Sequence, residues 1–453
     1  MNQRSEYLTN CAEKQESMIL EAERWLWAHP QTGFKEWQAH DYLRQKFNEL
    51  GYETVCAGDI PGFYADVDTG KEGPVVCVIG ELDALDIPGH PEAVDGVAHL
   101  CGHHGQGAAL LGLAAVLKEE HALDGLCGKI RLMMVPAEEL TQLEFREELR
   151  KAGKIRYFGG KTEFMARGHF DEVDLAMMVH QGEGNVVFDS WFGCNGCMVK
   201  KVQYKGKTAH AAANPNRGIN AQYAAMLGMQ ACNNLRETFR DNEHTRFHPV
   251  MQGANCAVNN IPDEINIESY VRGKTLEGIK LENRKINRAL AGAALSMGAG
   301  VEIKDWPGYA PTQLDKNFMQ LAEKCCVEMV GEDKVRFSYD SWGCGSTDMG
   351  DLSCVMPCAL FNTCGGYEGH AHAVDYRVTD ARRLCIDSTK AQALVLDALL
   401  KEDAAQAKMI LAEYQPRFAS IRAYLESLNE IFLEKEAVQY DEAGHVTIDF
   451  FND

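Results

Sequence analysis

No apolar run in this 453-residue sequence reaches the ~18 residues needed to span a bilayer, so a membrane-crossing segment is not expected. The opening stretch MNQRSEYLTNCAEKQE has no apolar signal-peptide core, which makes the cytoplasm the expected location. Positive charge is scarce. Lys and Arg number 45 against 66 Asp and Glu, a formal net charge of −21. A phosphate backbone needs a basic face, so nucleic acid is excluded as a partner. The same field repels anionic substrates at long range, and any substrate carboxylate requires local arginines. A regular disulfide framework is missing too. The sixteen cysteines are irregularly spaced, and in a chain of this length they read as free thiols. The one CxxC pair, CNGC at 194–197, lacks a second pair and reads as two thiols beside a turn. There is no internal repeat and no low-complexity linker.

What is present is a large apolar fraction, 45%, enough for two domains. Residues 18–29 and 36–50 show helical periodicity. GPVVCVIGELDAL (73–85), GKIRLMMVPAEE (128–139) and VDLAMMVHQGEG (173–184) read as buried strands. Strands alternating with helices predict a mostly parallel α/β sheet. Ligands gather at the carboxyl ends of such strands. Asp83, Glu138–Glu139 and His180 fall at those ends. From residue 193 the pattern changes to βαββαβ, with HPVMQGANCAVN as one strand and EINIESYVRG alternating strictly. This predicts a ferredoxin-like α+β insert. The expected division is a catalytic domain in two parts, 1–192 and 308–402, an inserted lid and dimerisation domain at 193–307, and a C-terminal extension at 403–453. In that extension Phe418, Ile421, Leu425, Leu428 and Phe432 form a helical seam. AVQYDEAGHVTIDFF reads as a closing hairpin.

The stretch HLCGHHGQGAALLG, residues 99–112, places a thiol and imidazoles where a strand becomes a helix. Cys101 and His103, two residues apart, can reach one metal or an adjacent pair, and the thiolate can bridge two ions. Glu138 and Glu139 are costly to bury without a cation or proton, and His180 ends the next apolar run. His370 and His372 in GGYEGHAHAVDY, and His210 in KGKTAHAAANPNRGINA, complete the set of candidate imidazoles.

Taken together, GELDAL, CGHHGQGAALLGLA, PAEE, MMVHQGEG, GKTAHAAANPNRGINA, NNIP and STDMGDLS, in that order, resemble the aminoacylase and carboxypeptidase family of co-catalytic metallopeptidases. The likeness is nearest to the amidohydrolase branch that holds aminobenzoyl-glutamate and indole-acetyl-amino-acid hydrolases, and it covers roughly residues 15–400. It implies a zinc-peptidase-like α/β fold and two divalent ions, zinc or manganese. The implied metal ligands are Cys101, His103, Glu139, His180 and His372, with His370 as the alternative to His372. Glu138 becomes the general base acting on a metal-activated water. His210 reaches across a homodimer interface in the lid domain toward the reacting carbonyl. Arg272 is the implied carboxylate clamp, Arg217 a second candidate, and Asn260 a hydrogen-bonding group. The implied substrates are N-acyl-amino acids, aminobenzoyl-glutamate-like conjugates or dipeptides. His104 and Gln106 depart from the branch's usual CGHDxH, and Cys101 stands nearest the role of a bridging Asp used elsewhere in the family. Two readings of another kind stay open: a cysteine hydrolase with Cys101 as nucleophile, and a non-catalytic, thiol-rich metal binder.

Overall fold

A computed structural model describes residues 1–254 and 256–449. The chain divides into two compact units. Among the described residues, one comprises 1–193, 312–342 and 348–424; the other comprises 194–311, 343–347 and 425–449.

The first unit is built on an eight-stranded sheet. Its strand order is Thr54–Cys56, Phe63–Asp68, Lys129–Val135, Val75–Glu81, Leu175–Gly182, Cys358–Cys364, Phe188–Ser190 and Val335–Phe337. The four central strands run parallel. Their residues are buried almost end to end, as a sheet covered on both faces requires. The helix His103–Val116 is buried at every position. Its sequence, HHGQGAALLGLAAV, is small and apolar all round, which suits a helix enclosed by protein rather than one with a wet face. The helices Glu16–Ala28 and Trp37–Glu49 match the two N-terminal periodic stretches to within two residues.

The second unit is an antiparallel sheet carrying two helices, Ala221–Asn234 and Leu276–Ser296. Strands Gly196–Lys205, Glu264–Gly273 and Gly300–Pro307 form its centre. The alternation in EINIESYVRG translates directly into burial, with Ile265, Ile267, Ser269 and Val271 inside. HPVMQGANCAVN does not form one long strand; only Val250–Met251 pairs, with Ile267 and Glu268, and Asn255 lies outside the described residues. The closing hairpin forms over Leu433–Tyr440 and Val446–Ile448, and its first strand adds to the Gly300–Pro307 edge of this sheet. Phe450 and Phe451, the end of the expected hairpin, lie outside the described residues. The seam helix is shorter than its periodicity suggests, Ile421–Asn429. Phe418 precedes it, its N–H donating to the Cys354 carbonyl. Pro416 sits before this helix, and the chain enters it through bends rather than helical turns. Among the described residues no helix is long and apolar enough to cross a membrane.

Candidate metal centre

Three strand ends and one helix start meet in the first unit. The first piece is the turn at Gly102, whose φ of +93° favours glycine. A Cβ there would come 2.0 Å from the Gln181 side chain. The bare backbone therefore lets the end of the Leu175–Gly182 strand close on Cys101, leaving His180 Nε2 3.5 Å from Cys101 Sγ. The second piece follows Pro136. Ala137 adopts a left-handed φ of +58°, held by a hydrogen bond from its N–H to the buried Glu36 carboxylate at 2.7 Å. That bend turns Glu138 and Glu139 inward. The third is His372, also at positive φ (+62°), its N–H donating to the Leu100 carbonyl at 3.0 Å. Strained backbone of this sort costs about 1–3 kcal/mol and persists where surroundings enforce it.

These pieces bring together Cys101, His103, Glu138, Glu139, His180 and His372. Potential ligand atoms of Cys101, His103 and His180 lie within 4.8 Å of one another; so do those of Cys101, Glu139 and His372, and those of His103, Glu138 and Glu139. Cys101 belongs to two of these groups. His370 does not join them: its Nδ1 faces Asp375 at 2.8 Å, and its side chain is largely exposed.

The donor set fits divalent cations. Atoms sharing one tetrahedral ion, with bonds of about 2.0–2.3 Å, stand roughly 3.2–3.7 Å apart. Cys101 Sγ and His180 Nε2 are 3.5 Å apart, inside that range, and His372 Nε2 and Glu139 Oε1 stand just below it at 3.1 Å. His103 Nε2 and Glu139 Oε1 are buried without a hydrogen bond, as donors awaiting a cation would be. The tautomers agree. His103 Nδ1 donates to the Asp83 carbonyl at 2.9 Å and His180 Nδ1 to the Gln181 carbonyl at 2.8 Å, leaving each Nε2 for the centre. Asp83 also accepts the Glu139 N–H at 2.7 Å through its carboxylate.

Electrostatics separates the roles of the groups. Burial and Glu139 push the Cys101 thiol up, but His103 and His180 outweigh them and bring it down to about 6, so a thiolate is available at neutral pH. Burial opposes charge on His372, yet its contacts with Cys101 and Glu139 raise it to about 11. Burial, reinforced by Glu81, Glu139 and Asp348, lifts Glu138 well above the usual carboxylate range. A carboxyl group so raised suits proton transfer rather than a permanent charge.

Sequence reasoning missed Lys161. It is fully buried, its ammonium bonded to Glu81 and Asp348. In GGKTEF nothing distinguishes it from a surface lysine; only the tertiary fold does. Asp348 is wholly buried and also accepts the Lys161 N–H at 2.9 Å. Glu81, two residues before Asp83, was legible only as a second acid at a strand end.

The other candidates belong to the second unit. His210 is exposed, its Nδ1 accepting the N–H groups of Ala212 and Ala213, and it forms an isolated bridge with Asn260. Arg217 closes the turn Pro215–Arg217 and is exposed. Arg272 is half-buried, donating to Ser346 Oγ at 2.6 Å with its guanidinium over the Tyr270 ring.

A mostly parallel α/β sheet with a thiol, imidazoles and carboxyl groups gathered at its strand ends is the architecture of a metallohydrolase. The chain belongs to peptidase family M20/M25/M40, whose profile residues 64–401 match, and it is a hydrolase of amide or peptide bonds. It is 26% identical over 368 residues to a human Xaa-Arg dipeptidase, covering 77% of this chain and 76% of the relative. To an N-acetylcysteine deacetylase of Bacillus subtilis it is 25% identical over 324 residues, covering 69% and 80%. Its fold is similar to that of a dinuclear metal-binding M20 peptidase from Bacillus subtilis, with a TM-score of 0.63 at 20% identity over 86% of this chain and 99% of that one.

Proposed function

We propose that this protein is a two-metal amidohydrolase that cleaves N-acyl-amino acids, aminobenzoyl-glutamate-like conjugates or dipeptides carrying a free carboxylate. The observation that carries this reading is the sharing of Cys101 between two donor groups, with Glu138 beside them. Cys101, His103 and His180 would hold one ion, and Cys101, Glu139 and His372 the other. A thiolate donor would favour zinc over manganese, because soft sulfur prefers zinc. When bound, the ions supply Lewis-acid activation of water and polarisation of the amide carbonyl. Glu138 takes the proton from the attacking water and passes it to the leaving amine nitrogen. Its burial keeps that proton from bulk solvent. His210 donates to the developing oxyanion from a second copy of the chain. Arg272, with Asn260 and Arg217, receives the substrate carboxylate through a guanidinium fork.

The homodimer is supported by an apolar face on the second unit. Tyr223, Met226 and Leu227 on the Ala221–Asn234 helix are each more than 40% exposed. A cytoplasmic location is supported by sixteen free cysteines. Neither a cysteine hydrolase nor a passive metal store finds support: the family is one of hydrolases, and a store needs no base beside its ligands.

The test is elemental analysis of purified protein, followed by amine release from a panel of N-acyl-amino acids and dipeptides. Two ions per chain, with activity lost on chelation and restored by zinc, are expected. Full turnover by the metal-free protein would overturn the reading.

A further inference from the structure

The segment 136–142, which carries Glu138 and Glu139, lies outside any helix or strand, so its backbone groups have no ladder to pair in. Its successive peptide groups are held by charged side chains instead. The Ala137 N–H donates to the Glu36 carboxylate at 2.7 Å, and the Glu139 N–H to that of Asp83 at 2.7 Å. The peptide groups that follow each of these present the carbonyls of Ala137 and Glu139, and both meet Arg146.

Arg146 lies on the helix Leu143–Lys151 and is 1% exposed. Its Nε donates to the Thr141 carbonyl at 2.8 Å. Nη1 donates to the Phe158 carbonyl and reaches that of Ala137 at 3.5 Å, which also accepts the Gly160 N–H at 3.1 Å. Nη2 donates to the Glu139 carbonyl. The carbonyls of residues 137, 139 and 141 thus converge on one guanidinium, and none of its hydrogen-bond partners is a carboxylate. A buried charge without a bonded counter-ion is costly. An apolar side chain would fill the same space more cheaply, but would leave these carbonyls without a donor. Gly33 completes the fit. A Cβ there would stand 2.3 Å from Arg146 Nη2 and 3.1 Å from the Ala137 Cα. The bare glycine leaves room for the nitrogen that holds Glu139.

A peptide group is planar and rigid, so orienting successive groups fixes the φ and ψ between them. The directions in which Glu138 and Glu139 leave the chain are fixed with them. We propose that Arg146 is a positioning residue of the metal centre: it orients the peptide groups on either side of Glu138 and Glu139, so that both carboxyl groups meet His103, with donor atoms within 4.8 Å of one another. The proposal rests on the two-ion reading and gives the helix Leu143–Lys151 the task of holding the base and one ligand.

Two variants loosen this hold by different means. Arg146→Lys keeps the charge but not the fork of donors. Gly33→Ala keeps every charge and crowds Nη2 off the Glu139 carbonyl; the tip of a flexible side chain gives way, so folding is expected to survive. Zinc affinity is read by competition with a chromophoric chelator, kcat and KM on the zinc-loaded protein, and stability by denaturant unfolding. Each variant is expected to lose about 10–100-fold in affinity at one of the two zinc sites and a similar factor in kcat, with KM unchanged. Acting through one contact, the two together should lose no more than about the larger single loss. A purely structural arginine would lower stability while the folded, loaded protein kept wild-type kcat and both affinities. That result overturns the proposal and leaves the two-ion reading intact, as do losses that multiply in the double variant. Wild-type protein that binds no zinc overturns both. If Arg146→Lys does not fold, Gly33→Ala decides.

Discussion

Glu138 and Glu139 are neighbours in sequence with opposite electrostatics. Burial opposes charge on both, but contact with His372 holds Glu139 below the usual carboxylate range, whereas Glu81 and Glu139 drive Glu138 above it. Glu138→Gln should therefore lower kcat by about 10²–10⁴-fold while elemental analysis still finds both metals. A variant that loses metal would instead make Glu138 a ligand. His104 behaves differently. Wholly buried without a hydrogen bond, it is brought down to about 3 by burial, with His103 adding to the effect. Below pH ~6.5 its unfolded form binds a proton that the folded form refuses. Its contribution to stability is complete above that pH and falls by about 1.4 kcal/mol per unit as pH drops, down to about 3. Denaturant unfolding at pH 7.5 and 5.5 should show this loss in the wild type, and a smaller one in His104→Gln.

At the scale of elements, the site depends on how segments end. Gly102 closes the approach of the Leu175–Gly182 strand to the start of the His103–Val116 helix. Gly102→Ala meets both the Gln181 side chain and an unfavourable φ. It should cost about 1–3 kcal/mol in unfolding free energy and loosen zinc, read by chelator competition. Unchanged stability and affinity would show that the turn is not what aligns His180 with Cys101. The parallel strands and their polar ends were legible in the sequence because each signal is local: apolar runs interrupted by acids or histidine. The preference for His372 over His370 came from the resemblance, since both lie in the same short loop; a hydrogen bond from the His372 N–H to Leu100 accompanies its approach to Glu139. Lys161 was invisible because its partners are 80 and 187 residues away. The seam of Phe418 to Phe432 had helical spacing throughout, yet only nine residues are helical, because backbone contact at Cys354 claims Phe418 first.

At the scale of the whole molecule, the second unit carries an exposed apolar face. Helix Ala221–Asn234 presents Tyr223, Met226 and Leu227 to solvent, and a second copy is the partner expected to cover them. A Met226→Asp, Leu227→Asp double variant should be monomeric by light scattering. If His210 acts from the other copy, as proposed, turnover should fall with the dimer; a fully active monomer would remove that role.

The hairpin that begins at Leu433 lies along the Gly300–Pro307 strand and ends the sheet with a strand of only three residues. This has a bearing on how many copies can associate. A long bare edge is adhesive, and short terminal strands blunt it. A flank so blunted offers no long ladder for another chain to extend. Removing residues 430–453 would bare the eight-residue Gly300–Pro307 edge. The expected result is edge-to-edge association, visible as mass that grows with concentration.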